Sequence, residues 1–280
     1  MTPFFALLRK HIHETRWNLG LSAAALFGLG WLFVFITSLN ETEILKRLAS
    51  DDGGGGGRIQ WMRNMGIGEA PSSASIMMTF WSHPFIMLVL SMWAIGRASS
   101  AVAAEVERGT MDLMLSRPVP RSAYLASHVS IALAGLAILA IGLLAGASIA
   151  VQYNVLRERP SILTLARPAI NLAALGFPIY GYTLLASSLD HVRWRPTTIG
   201  SVLTLAGFIA FVVSLIPVLQ DRSWRPWLER ISIFKAYNPV ELVGSAETMA
   251  QNLAILGSIG TVAIALAFVA FAYRDLPANG

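Results

Sequence analysis

The chain has 280 residues, of which 55 % are hydrophobic and only 13 % charged. An ordinary soluble domain is about a quarter charged, so this composition excludes a soluble enzyme and is also far too apolar for disorder. There is no cysteine, which excludes a disulfide framework, thiol chemistry and thiolate metal sites, and the net charge of +5 suits anionic headgroups better than nucleic acid.

In chain order, residues 4–16 come first. They set Phe4, Phe5, Leu8 and Ile12 on one side of a helix and Arg9, Lys10, His13 and Glu14 on another. That pattern predicts a short basic helix lying in the membrane interface. An uncharged run, 17–39, follows. Roughly 20 helical residues at 1.5 Å each cross a bilayer core, so this is a first crossing and not the short apolar core of a signal peptide. Five more windows qualify: 76–96, interrupted by His83-Pro84; 122–153; 162–189, with Arg167, Pro168 and Pro178; 196–219; and 251–273. The segment 40–75 contains Asp51-Asp52 and the glycine run 53–57, which reads as a flexible joint. The segment 220–250 mixes Trp224, Trp227, Ile231 and Phe234 with charges, and predicts short helices resting in the outer interface.

Six crossings place both termini on one side. The short connections on that side carry Arg97, Arg108, Arg117, Arg121, Arg193 and Arg195. Cations concentrated near span ends put that side in the cytoplasm.

Enzyme signatures are missing. No G-x-x-x-x-G-K-[ST] phosphate loop, no H-E-x-x-H and no G-x-S-x-G occurs, and few acids fall inside spans. His83 and Pro84 form a substrate-pathway candidate, since a titratable side chain within a span is rare; the structural alternative is a histidine bonding groups freed by the proline. Met77, Met78, Met87 and Met92 share that span, but thioethers usually just pack, and no metal site is assigned. Gly142 and Gly146 form a G-x-x-x-G with Gly135 nearly in line, which permits close helix approach within the chain or at a dimer seam.

The most informative stretch is 103–127. Glu105, Glu107, Arg108, Asp112, Arg117 and Arg121 lie between the second and third crossings. Gly109 and Thr110 can end one helix and cap another, over 111–116, which Pro118 stops. Met111, Leu113, Met114 and Leu115 then make a small apolar knob ringed by charge. It serves either as an interfacial connector or as a docking helix for a cytoplasmic partner.

The run Glu105-Val106-Glu107-Arg108-Gly109-Thr110 through Leu115-Ser116-Arg117-Pro118-Val119-Pro120-Arg121 resembles the cytoplasmic loop of ABC-2 type permeases, the six-span membrane subunits of ABC exporters. The helix before the first crossing, the string Tyr237-Asn238-Pro239-Val240-Glu241-Leu242 and the ending Phe271-Ala272-Tyr273-Arg274-Asp275-Leu276 agree. The resemblance implies an all-α polytopic protein of the plasma (inner) membrane. It would have six transmembrane helices, an N-terminal interfacial helix and short outer interfacial helices. It implies that two copies pair, each with a separate ATP-binding subunit that holds ATP and Mg, so this chain carries no cofactor and no catalytic residue. It also implies that Glu105, Glu107, Arg108, Gly109, Thr110, Met111, Leu113, Met114 and Leu115 form a coupling helix docked on that subunit. Closure of the ATPases would shift crossings one, two and five. An apolar interior suits an amphiphilic, drug-like or lipid-like cargo. The rival readings are an ion-coupled secondary carrier, which the shortage of intramembrane acids opposes, and a scaffold that transports nothing.

Overall fold

The computed structural model describes residues 3–49, 72–111, 120–156, 158–219, 222–244 and 246–274, with side chains described for all of these except 3, 40–49 and 243–244. The glycine run 53–57 and the expected helix over 111–116, beyond its first residue, lie outside the described residues. Among the described residues there are ten α-helices, two short 3-10 turns and no strand. They are α1 (Pro3–Ala49), α2 (Ser73–Trp81), α3 (Pro84–Ser99), α4 (Ala103–Glu107), α5 (Arg121–Tyr153), α6 (Ile162–Leu189), α7 (Trp194–Ser214), α8 (Arg225–Ile231), α9 (Pro239–Gly244) and α10 (Ala246–Tyr273). The 3-10 turns are Pro217–Leu219 and Ile233–Ala236. Five of the helices, α1, α5, α6, α7 and α10, are each long and apolar enough to cross a membrane, and α2 with α3 makes a sixth crossing when the bent pair is counted as one.

Three boundaries differ from the sequence reading. The N-terminal interfacial helix is not separate: it runs without a break into the first crossing as α1. Its only proline, Pro3, stands in the first turn, where a missing N–H is no loss, and no capping residue stops it later. The second crossing is two helices bent by 44°. Pro84 forces His83 into extended geometry (ψ 138°), Ser82 closes α2, and the His83 ring accepts the Phe85 N–H at 3.4 Å, capping α3. The fifth crossing stops at Ser214 and not at 219, because Pro217 disfavours helix at the residue before it and starts a 3-10 turn instead.

The central helix is α6, which packs on α3, α5, α7 and α10. The closest seam joins α1 to α5. A methyl added at Gly146 would lie 2.0 Å from the Phe27 carbonyl oxygen, one at Gly142 2.9 Å from that of Ala23, and one at Gly30 2.5 Å from that of Leu143. The G-x-x-x-G of the third crossing therefore serves packing within the chain, with backbones in direct contact as only glycine permits. Gly135, two turns further, receives the indole of Trp93 from α3.

Hydrogen bonds sort the helix ends into two faces. At one face, Tyr124 of α5 donates to the Ala101 carbonyl at 2.7 Å, and Ser187 at the end of α6 accepts from the N–H of Ala103 at 3.0 Å. Arg121 donates to the carbonyls of Phe271 and Arg274 at 3.2 and 2.7 Å, while Arg274 donates to those of Ser188 and Asp190 at 3.0 and 2.7 Å. Burial draws the Arg274 guanidinium below its ordinary pKa, and the Asp190 carboxylate pulls it back up. The first turns of α1 lie at this same face, so both ends of the described chain are there. At the opposite face, Tyr237 donates to the Trp81 carbonyl at 3.1 Å and Asn171 to that of Ala236 at 2.9 Å, anchoring the short helices α8 and α9 over the bundle. These are the expected helices of 220–250: Trp224, Trp227 and Ile231 stay exposed while Phe234 and Val240 are buried.

Candidate functional site

The face that holds both ends of the described residues carries the polar chemistry. Arg97 closes the last turn of α3 and reaches His128 of α5, with Nη2 to Nδ1 at 3.1 Å. A guanidinium only donates, so Nδ1 of His128 is the acceptor and the ring is neutral. His11 of α1 lies against it, ring centroids 3.9 Å apart, and also meets Glu14 at 3.3 Å. His11 thus sits on the packed side of α1 with Leu7 and Thr15, whereas Phe5 and Ile12 are exposed to the surroundings. Nε of Arg97 and Nε2 of both histidines are buried without a hydrogen-bond partner.

Beside this cluster is a cavity of about 610 Å³. Glu14, Thr15 and Asn18 of α1, Arg97 of α3, Glu105 of α4, Arg108 at its C-terminal cap, and Arg193 before α7 line it. Glu105 is buried and densely partnered. Lys10 stands 3.7 Å from its carboxylate, Arg108 4.0 Å, and the Thr110 hydroxyl donates to it. Further along α3 is a second space, a cleft of about 490 Å³ between α3 and α7. Its walls are mainly apolar: Pro84, Met87, Leu88, Leu205, Phe208 and Phe234. Both volumes fall in the roughly 300–1,000 Å³ range of small-molecule pockets.

The coupling-loop residues are placed as follows. Helix α4 ends at Glu107, Arg108 caps it, and Gly109 adopts φ 68°, the left-handed turn that glycine alone takes freely. Glu107 is exposed, and its carboxylate accepts the Arg193 N–H at 2.9 Å, tying the loop to the start of α7. The Thr110 hydroxyl is turned back to Glu105. Met111 is only 2 % exposed, so its side chain packs on the bundle and is not presented outward as the sequence pattern suggests. Leu113, Met114 and Leu115 lie outside the described residues. Pro84 lines the apolar cleft, whereas His83 caps α3 and stacks near Phe33 and Phe85, ring centroids 5.6 and 4.9 Å away.

Sequence reasoning passed over Arg97, His11 and His128. The rule that drew attention to His83 applies equally to His128, a titratable residue in an otherwise uncharged crossing. His11 was hidden because helical spacing separates it from His13 but says nothing about which face meets α5.

Fold and site together define a polytopic helical membrane protein with a polar cavity at one end of the bundle. A family model described as an ABC-2 family transporter protein matches residues 12–276. The chain belongs to the ABC-2 transporter family, as the membrane permease component of an ABC transporter. No curated protein matches the chain.

Proposed function

We propose that this chain is the permease half of an ATP-driven exporter in the plasma (inner) membrane. Two copies pair, each with a separate ATP-binding subunit that holds ATP and Mg, and together they move an amphiphilic, drug-like or lipid-like substrate. Both termini and the 103–121 loop face the cytoplasm. The loop receives the ATP-binding subunit, with Glu105, Glu107, Arg108, Gly109, Thr110, Met111, Leu113, Met114 and Leu115 as the docking segment. Within it, Glu107 and Arg108 meet the partner, and Glu105, Thr110 and Met111 hold the loop to the bundle.

What supports this reading most directly is the way the loop is tied. Glu107 bonds the start of α7, and Glu105 meets Lys10 of α1. A push on the loop is therefore delivered to α1, α3 and α7, the helices that line the cavity and the cleft. Closing of two ATPases around ATP would use these ties to move the crossings between inward and outward arrangements.

The test is purification from the native host through a tag on this chain. The wild-type eluate is expected to hydrolyse ATP in the presence of Mg. The double substitution Glu107→Lys with Leu113→Asp should abolish that activity while the membrane protein elutes in the same yield and as the same single species. Undiminished hydrolysis in the variant eluate overturns the docking assignment.

A further inference from the structure

We infer that the cargo is an anionic amphiphile, its headgroup held by Arg97 and Arg193 in the polar cavity and its alkyl tail laid in the apolar cleft between α3 and α7. This rests on the reading of the chain as a permease and names the chemistry of what it carries.

The two spaces adjoin along α3. Met92 and Gly96 line both, and nothing lies within 4 Å of where a side chain at Gly96 would begin, so the junction between them is open. From Arg97 to Pro84 the path follows α3 for about 20 Å at roughly 1.5 Å per residue, the length of a medium alkyl chain.

The charges of the cavity are not balanced evenly. Its two carboxylates are answered from within the chain. Glu14 meets Lys10 at 3.6 Å and His11 at 3.3 Å, and Glu105 meets Lys10, Arg108 and the Thr110 hydroxyl. Among the described residues, no carboxylate lies within ion-pair distance of the Arg97 or Arg193 guanidinium. The one hydrogen-bond partner of Arg97 is a neutral ring, Glu14 and Glu105 act on it only from beyond ion-pair distance, and its Nε is a buried donor with no acceptor. A buried guanidinium donor calls for an acceptor, and an anion supplies both lone pairs and the missing charge. A cationic headgroup would face Arg97, Arg108 and Arg193 together.

The cleft offers the opposite chemistry. Leu88 and Leu205 are more than half exposed on its walls. Of the four hydroxyls on its walls, Thr197 donates to the Arg193 carbonyl at 2.9 Å and Thr204 to that of Gly200 at 2.7 Å, while Ser91 and Ser201 are the polar exceptions. A sugar or a hydrated ion would find only the Ser91 and Ser201 hydroxyls there against a mainly apolar wall, whereas a hydrocarbon chain gains by leaving water for it.

The test uses the full chain in nanodiscs of zwitterionic phosphatidylcholine, without any ATPase, and equilibrium binding of ³²P-labelled dodecyl phosphate. Saturable binding is expected. Arg97→Gln and Arg193→Gln should each raise Kd by about tenfold, the loss of one charge-assisted hydrogen bond. Leu205→Asp, on an exposed wall, should raise it by a similar factor. Inorganic phosphate should displace the label only at a concentration about a hundredfold higher than unlabelled dodecyl phosphate does, since it lacks the buried tail. Dodecyltrimethylammonium should not displace it. Arg193 is exposed, so its variant folds even where Arg97→Gln does not. The inference is overturned by the absence of saturable binding, by wild-type affinity in the arginine variants, by equal displacement with inorganic phosphate, or by equal displacement with the cationic surfactant. No nucleotide or partner enters the measurement, so failure of the docking assignment and failure of this one are separately visible.

Discussion

The α1–α5 seam and the α3–α7 cleft are built from the same kind of apolar helix, yet one is closed and the other is open. Along the seam, Gly30, Gly142 and Gly146 bring backbone against backbone, with no room for a single methyl. Along the cleft, Leu88, Leu205 and Phe208 stand apart around some 490 Å³. The difference lies in side-chain size at the contact, not in hydropathy. Small residues let helices in lipid approach until van der Waals contact is continuous, and large ones hold them apart. The bundle therefore has a rigid part, α1 with α5, α6 and α10, and a looser flank where α7 buries only an edge through Pro196, Gly200, Thr204, Phe211 and Ser214. A transporter needs both, a frame that keeps its shape and a boundary that can move.

That contrast can be broken at the seam with the largest effect. Gly146→Leu should destabilise the purified protein at or beyond the upper end of the roughly 1–3 kcal/mol range for overpacking, because the obstacle is the Phe27 backbone and not a side chain. Thermal unfolding in detergent reads this as a large fall in Tm. Gly28→Leu, on the facing helix α1 with nothing within 4 Å, should stay near the wild-type Tm. Equal behaviour of the two variants would mean that the seam is not what holds the frame.

An intermediate effect is expected where the loops are tied to the frame. Arg274→Gln removes charged donors from the Ser188 and Asp190 carbonyls, and should cost about 1.5 kcal/mol, the low end for charge-assisted bonds at a half-exposed site. A wild-type Tm in that variant would show the clamp to be idle. His83→Ala should cost about 1 kcal/mol as a lost helix cap, with protein abundance falling more than transport per molecule. The reverse ranking would place His83 in the substrate pathway.

The smallest effect belongs to the cleft. Leu205→Trp adds bulk to an exposed wall, and should leave stability within about 0.5 kcal/mol of wild type. A loss comparable to that of Gly146→Leu would mean that α3 and α7 are packed as tightly as α1 and α5.

Much of the architecture was legible in local chemistry. The third and fourth crossings were read as 122–153 and 162–189, and the helices are Arg121–Tyr153 and Ile162–Leu189. Runs of that length, even the second with Arg167, Pro168 and Pro178 in it, form helices in a bilayer because every backbone group must be satisfied within the segment. The turn at Gly109 and the break at His83-Pro84 were equally local, since they depend on what glycine and proline do to their own dihedrals. The candidate site was legible only in part. Glu105, Glu107 and Arg108 stand out as charges between spans, but Arg97 looked like an ordinary cation at a span end.

The amino-acid order by itself determined that the chain is all-helical, built of long apolar crossings, and where helix breaks such as His83-Pro84 and Gly109 fall, because hydropathy and helix termination act over a few residues at a time. Only the tertiary structure decided that Arg97 meets His128, that His11 turns inward, and that a polar cavity and an apolar cleft adjoin along α3. Those depend on which sides of crossings distant in sequence are pressed together, and that is set by the size of the side chains at each contact, which no single helix reveals.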